Sequence, residues 1–413
     1  MKCNIWRDCP KVPITELLSF IVDNRGKTVP TAPNGHKLIA TNCVTNNTLF
    51  PVYEKVRYLS DETYNTWFRA HPVSGDILFV NKGTPGRVCM VPDPVDFCIA
   101  QDMIALRADA TKIYNKYLFA VLRSREIQQQ IYNTNVGDVI PHFKKQFLSQ
   151  LLIPVPKYSV QKVIGDFYYL FSYKIELNNK INENLERQVA EIYKSWYQDF
   201  SRSANLPLVE TEFGLIPQGW HYNLLGDLCK SISVTHKFDK NELVFLNTGD
   251  IENGQFLHSN YMSVKDMPGQ AKKTIAPGDI LYSEIRPINR HFAYVNFPSE
   301  DYVVSTKLMV IRANGFDTRR LYHYLTSEDI LSELQMQAES RSGTFPQIRF
   351  DNVSKLPILI ADEETEKAFI TFLHTVYDQI ECNNLERQKL AALRDALLPK
   401  LMSGEIDVSE IKF

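Results

Sequence analysis

KVIGDFYYLFSYKIELNN at 162–179 returns 205 residues later as KAFITFLHTVYDQIECNN at 367–384, and this repetition decides the fold. Ile164, Tyr168, Phe171 and Ile175 follow a 4-3-4 spacing, and Phe369, Leu373, Val376 and Ile380 repeat it. That spacing draws one apolar stripe along a helix. Ile181, Leu185, Val189, Ile192 and Trp196 extend the first stripe; Leu390, Leu393, Leu397 and Leu401 resume the second. No Pro interrupts 157–206 or 358–398, so each stretch predicts a helix of roughly 35 to 40 residues. Asn178 and Asn383 hold equivalent places on the stripes, and a polar residue in a helix seam fixes register. Two amphipathic helices packed on their own domains would satisfy the pattern. A long coiled-coil spacer joining two halves satisfies it better.

Outward from the helices, the duplication covers the chain. GDILF at 75–79 recurs as GDILY at 278–282, and KYLFAVLRSREI (116–127) recurs as RRLYHYLTSEDI (319–330), both at an offset of 203. LERQ at 185–188 recurs at 385–388, so the first copy carries five extra residues, Lys180 to Asn184. Each copy reads as a globular half followed by a long helix. GDILFVNKGTPGRVCMV and GDILYSEIRPINRHFAYV predict short strands and turns, with one helix near 111–131 and one near 317–338. LLIPVP (151–156) and KLPILI (355–360) predict the closing strands. The expected organisation is α/β (α+β): a first globular domain at 1–157, a helix at 158–200, a second domain at 201–360, and a helix with its tail at 361–413.

With 413 residues, 44% hydrophobic and 23% charged, the chain can build two or three cored domains and is neither disordered nor collagenous. No apolar run reaches the ~20 residues of a membrane span, and MKCNIWRDCPKVPITELL lacks the apolar core of a secretory leader. Cys3, Cys9, Cys43, Cys89, Cys98, Cys229 and Cys382 are scattered without a CxxC pair. That disfavours a disulfide framework or a zinc site and suits a cytoplasmic location. The net charge of -2 is uneven: residues 1–157 carry +6 and residues 361–413 carry -5. A positive excess permits a polyanionic partner. The only GKT, Gly26–Lys27–Thr28, has Ile21 where a phosphate-binding loop needs its first Gly. No GxGxxG follows a strand, no HExxH occurs, and no Asn/Asp-Pro-Pro-aromatic tetrapeptide of an amino-methyltransferase is present. The sequence describes a binder and scaffold with no catalytic residue, metal ligand or cofactor of its own.

DNRGKT (23–28), KSWYQDF (194–200), FGLIPQGW (213–220), SGTFPQI (342–348) and LRDALLPKLMSGEI (393–406), in this order within a ~200-residue duplication, resemble the specificity subunits of type I restriction–modification enzymes. The resemblance runs over essentially the whole chain. It implies that each globular half is a target-recognition domain reading one part of a split double-stranded DNA sequence. It also implies that the long helices pair antiparallel, set the distance between the halves, and dock two methyltransferase subunits. Those partners would bind S-adenosylmethionine and methylate adenine, and a restriction/translocase subunit would cut. One departure stands at the start, where Trp6-Arg7-Asp8-Cys9-Pro10 replaces the Pro-x-Gly-Trp of 217–220. It puts the docking of the N-terminal strand in question.

Reading base edges requires donors and acceptors on loops, with cations for phosphates. In the first half the candidates are Arg25, Lys27 and Thr28; Lys82, Thr84 and Arg87; and His142, Lys144 and Lys145. In the second half they are Thr235, His236 and Lys237; Arg286, Asn289, Arg290 and His291; and Arg341, Gln347 and Arg349. The plain alternative is a solvated surface, with ion pairs to Glu339, Asp351 or Asp239. Arg286–His291 follow GDILYSEI where Lys82–Arg87 follow GDILFV, which predicts a shared contact loop. Two other functions compete: a stand-alone DNA-modifying enzyme with a divergent active site, and a duplicated adaptor that binds protein or RNA.

Overall fold

The structure, a computed structural model, describes residues 4–24, 26–134, 141–341 and 346–408, with Arg341 described for its backbone alone. The chain forms two units: residues 1–184 with 380–413, and residues 185–379. Each unit takes part of both long helices, so the helices do not form a body of their own.

The two halves share one strand plan. In the first, an antiparallel sheet runs Leu18–Val22, Met103–Ala108, Ile77–Val80, Val88–Met90; in the second it runs Cys229–Ile232, Leu308–Ala313, Ile280–Ser283, Phe292–Tyr294. A second sheet in each half contains one parallel pair, His36–Ile39 with Phe97–Ile99 and Glu242–Leu246 with Tyr302–Ser305. Strand period two explains the layering. Ile77 and Phe79 pack into the core under the helices, while Leu78 and Val80 pack toward the other sheet. Ile280 and Tyr282 divide from Leu281 in the same way.

The GDIL motif is structural in both copies. Gly75 and Gly278 take φ values of +85° and +92°, which favour Gly. The next residue is a buried carboxylate: Arg107 grips Asp76 with two hydrogen bonds of 2.9 Å, and Arg312 grips Asp279 at 2.6 and 2.9 Å. Asp76 also accepts the Val73 N–H and Asp279 the Ala276 N–H, closing the turn before the strand.

Two expectations need correction. The single helix near 111–131 is two, Asn115–Leu122 and Arg125–Thr134, and its counterpart is also two, Thr318–Leu325 and Glu328–Arg341. Ser124 makes the first break, bonding the Val121 carbonyl at 2.6 Å with its hydroxyl. The N-terminal strand docks despite its unusual opening. Lys11–Pro13 pairs antiparallel with Leu152–Pro154, as His221–Leu224 pairs with Pro357–Ile360.

The long helices are Tyr158–Tyr193 and Glu363–Ser403, of 36 and 41 residues. Within the first unit they pack antiparallel: Ser172 meets Arg394, Asn178 meets Glu386 at 2.7 Å, and Asn182 meets Asn384 at 2.9 Å. Asn383 donates to Asn182 at 2.7 Å, so a residue of the five-residue insertion completes the polar layer. Burial raises the Glu176 carboxyl and lowers the Arg387 guanidinium nearby. Leu393 lies outside the seam, 49% exposed, while Arg394 is buried over Tyr168. Within the second unit Arg320 is fully buried against Tyr193, Tyr197 and Phe369 and bonds Glu366 at 2.9 Å. Tyr197 closes this cluster through Glu366 at 2.6 Å. Trp220 packs at an angle to Tyr197 and edge-on to Phe200 and donates to Asp362, so KSWYQDF and FGLIPQGW meet in one junction. Among the described residues no helix is long and apolar enough to cross a membrane.

Candidate nucleic-acid interface

After the central strand Ile77–Val80 the chain makes a hydrogen-bonded frame. Asn81 N–H donates to the Asp102 carbonyl at 2.9 Å, and Phe143 N–H donates to the Asn81 carbonyl at 2.8 Å. Lys82 and His142 form an antiparallel bridge, and Gly83 N–H donates to the Pro141 carbonyl at 3.0 Å. The buried Asn81 side chain adds a bond to the Phe143 carbonyl. The loop then returns through Gly86 N–H to the Val80 carbonyl.

The second half repeats three backbone bonds and the bridge of this frame. Glu284 N–H donates to the Lys307 carbonyl, Ile348 N–H to the Glu284 carbonyl, and Arg286 N–H to the Pro346 carbonyl. Ile285 and Gln347 form the bridge. Two clusters far apart in sequence, 82–87 with 142–145 and 286–291 with 347–349, therefore lie together in each half. An ion pair between Lys145 and Asp23 brings DNRGKT alongside in the first half.

The candidates divide by what their side chains do. Lys27, Thr28, Lys82, Arg87 and Lys144 are exposed, and the four cations make no ion pair among the described residues. Thr84 and His142 are half-buried on the same frame. Lys145 is committed to Asp23. In the second half Thr235, Lys237, Arg286, Asn289 and Arg349 are exposed and Gln347 is half-buried. Three candidates are already engaged within the chain. His236 is buried, with its Nδ1 accepting the Phe238 N–H at 2.9 Å. Arg290 pairs with Glu328 at 2.5 Å, a partner absent from the acids weighed above. His291 Nδ1 lies 2.7 Å from the Ile251 carbonyl. Arg25 and the Arg341 side chain lie outside the described residues.

Sequence reasoning missed two contributors. Thr235 bridges to Lys273, whose ammonium donates to the Thr306 and Leu308 carbonyls and is lowered by burial. The Arg125–Thr134 helix forms a wall beside the Asn81–Arg87 loop: Pro85, Arg125, Gln128, Gln129 and Tyr132 line an open cleft. The helical spacing of those four polar positions, opposite Ile127 and Ile131, was the available signal. Among the described residues no group of three His, Cys, Asp or Glu could hold a metal ion. The arrangement offers cations, amides and backbone N–H groups for a polyanion.

The family described as type I restriction modification DNA specificity domain matches residues 27–187 and 217–392. The specificity subunit of a type I restriction enzyme, HindI, from Haemophilus influenzae is 46% identical over 183 residues, covering 43% of this chain and 39% of its own length. The MjaIX specificity subunit of Methanocaldococcus jannaschii is 24% identical over 311 residues, covering 72% and 71%. The crystal structure of a type I restriction–modification S subunit from M. genitalium superposes with a TM-score of 0.58 at 15% identity, covering 95% of both chains. That likeness shows the fold.

Proposed function

This chain belongs to the type I restriction modification DNA specificity domain family, and on that premise we propose that its two halves each read one part of a split duplex DNA target. One observation carries the reading: the Asn81–Gly83 and Glu284–Arg286 segments repeat the same three backbone bonds and the same bridge, and each half presents exposed cations on this loop, Lys82 and Arg87 in the first and Arg286 in the second. Lys27, Lys82, Arg87 and Lys144 serve the first half; Lys237, Arg286, Asn289, Gln347 and Arg349 serve the second. Cations neutralise phosphates, and the Arg, Asn and Gln side chains supply bidentate edges for bases. His236 and His291 shape the second site from within, and Arg290 is held at its surface by Glu328.

The chain acts without chemistry of its own. Two methyltransferase subunits dock on the helices and bring S-adenosylmethionine, and a restriction/translocase subunit joins them. An exposed stripe supports the docking: Leu170, Tyr173, Leu177 and Ile181 are 48, 45, 40 and 36% exposed, spaced as one helix face. It is distinct from the seam that buries Ile164, Tyr168 and Ile175, so Ile181 belongs to this exposed face and not to the seam stripe that its sequence spacing predicted.

The test is binding to duplex DNA by the chain assembled with its methyltransferase subunits, read against salt. The reading requires one preferred duplex sequence and an affinity that falls as salt rises. Turnover of DNA by the isolated chain, or equal affinity for every duplex, would contradict it.

A further inference from the structure

The cleft beside the first contact loop has a volume of about 350 Å³. Arg125, Gln128, Gln129 and Tyr132 stand at i, i+3, i+4 and i+7, which puts them on one face of their helix. Ile127 and Ile131 are buried on the other. Gln128 locks this face to the loop, its amide donating to the Gly86 carbonyl at 2.9 Å and the Leu122 carbonyl at 2.7 Å. A Cβ at Gly86 would lie 3.1 Å from Ile131 and Gln128, so loop and helix are closely fitted. Arg125 and Gln129 are exposed, and Tyr132 is 73% exposed.

The duplication shows what is unusual here. At the offset of 203, Arg125 corresponds to Glu328 and Tyr132 to Gln335. In the second half the loop cation Arg290 is neutralised by Glu328, and Gln335 accepts the Ile288 N–H at 3.3 Å. Loop and helix satisfy one another there. The second hairpin is one residue longer, since Phe79 faces Val88 whereas Tyr282 faces Phe292. By this register Gly86 takes the place of Arg290 in the first half, and the helix there carries a cation where the second half has Glu328. Among the described residues the Arg125 guanidinium has no ion pair or hydrogen bond. Lys82 and Arg87 lie on the loop that Gln128 holds to this helix through the Gly86 carbonyl, in the segment that carries the +6 excess.

We propose that this helix face is a second DNA-contacting element, present in the first half alone. Arg125 meets a backbone phosphate, and the Tyr132 ring packs on the adjoining sugar. Charge complementarity selects the occupant: the one charged side chain lining the cleft, Arg125, is an unneutralised cation, and the adjoining loop adds exposed Lys82 and Arg87, which fits a polyanion. The inference rests on the reading that the first half binds duplex DNA.

The experiment uses the full chain assembled with its methyltransferase subunits, with affinity for its target duplex measured across a salt series. Arg125→Ala lowers affinity about 3- to 10-fold and reduces the log–log salt slope by about one, whereas Arg125→Lys preserves both. Tyr132→Ala lowers affinity without changing the slope. Glu328→Ala, which frees Arg290, causes no loss. Both side chains are exposed, so thermal melting should match the parent chain. Lys82→Ala separates the two readings. If it weakens binding while Arg125→Ala and Tyr132→Ala do not, the helix face is not a contact and the loop reading stands. If all three bind like the parent, the first half does not hold DNA through this end, and both readings fall.

Discussion

Gly83 and Arg286 hold the same place in the two halves: each donates its backbone N–H to a proline carbonyl, Pro141 or Pro346, and each has positive φ, +85° and +44°. Gly86 and Arg290, matched by hairpin register, share the positive φ at +88° and +57°, although Gly86 donates to the Val80 carbonyl and Arg290 to that of Pro287. The left-handed region costs an L-residue about 1–2 kcal/mol relative to its preferred conformations. The second loop thus holds Arg twice where its sister loop uses Gly. Arg290 has a partner in Glu328, whereas Arg286 is exposed and makes no ion pair among the described residues.

The strain at Arg286 separates its fold role from its binding role. Arg286→Gly should leave stability unchanged or raise it by up to about 1 kcal/mol, since Gly accepts this backbone freely. Affinity for the second half-site should nevertheless fall by about 1–3 kcal/mol if the contact is to a base. Urea unfolding and binding to duplexes altered in one half-site read the two effects apart. Equal losses at both half-sites would contradict the assignment.

His323 makes the second unit sensitive to acid. Burial, aided by the Arg320 charge, lowers its imidazole from 6.5 to about 3, and its Nε2 has no partner among the described residues. It is neutral in both states at pH 7, so nothing is lost there. Below pH 6.5 the unfolded imidazole takes up a proton that the folded one refuses, and stability declines until about pH 3. The slope should reach about 1.4 kcal/mol per pH unit. His323→Gln should remove that component of a urea-unfolding series between pH 6.5 and 4; an unchanged slope would show that His323 titrates freely.

The seam predicts how the helices respond to a change in length. Asn383→Ala removes a donor to Asn182 in a buried layer and should cost about 1–3 kcal/mol in thermal or urea unfolding. Four helix-forming residues inserted between Asn179 and Leu185 add about 6 Å and nearly preserve facing. At about 3.4 Å per base pair, the unread gap in the target should grow by one to two base pairs with both half-sites unchanged. Methylation-site mapping of the assembled enzyme reads the gap. An unchanged gap at full activity would mean that the helices do not set it.

The duplication and the helix stripes were legible because each is a local period: 4-3-4 spacing needs no knowledge of the partner helix. The seam's true edge was not. Leu393 fits the stripe but stands 49% exposed, and Arg394 is buried because Tyr168 and Ser172 receive it from the other helix. The break at Ser124 escaped because apolar residues resume beyond it at Ile127 and Ile131, and the turn is marked by bonds from the Ser124 hydroxyl and N–H to the Val121 carbonyl. Candidate contacts failed for the same reason. Arg290 looks free until Glu328 arrives from a helix 38 residues on, and His236 looks exposed until its own loop folds back on it. Arg125 was overlooked because its meaning lies in comparison with Glu328.

Independent reading by two halves is the central claim, and exchange of one half tests it most directly. Residues 1–157 are replaced by the corresponding domain of another family member, and the enzyme is assembled with its methyltransferase subunits and mapped for methylated sites. One part of the target should change to that of the donor, with the other part and the gap as before. A target altered in both parts, or in neither, would contradict the account.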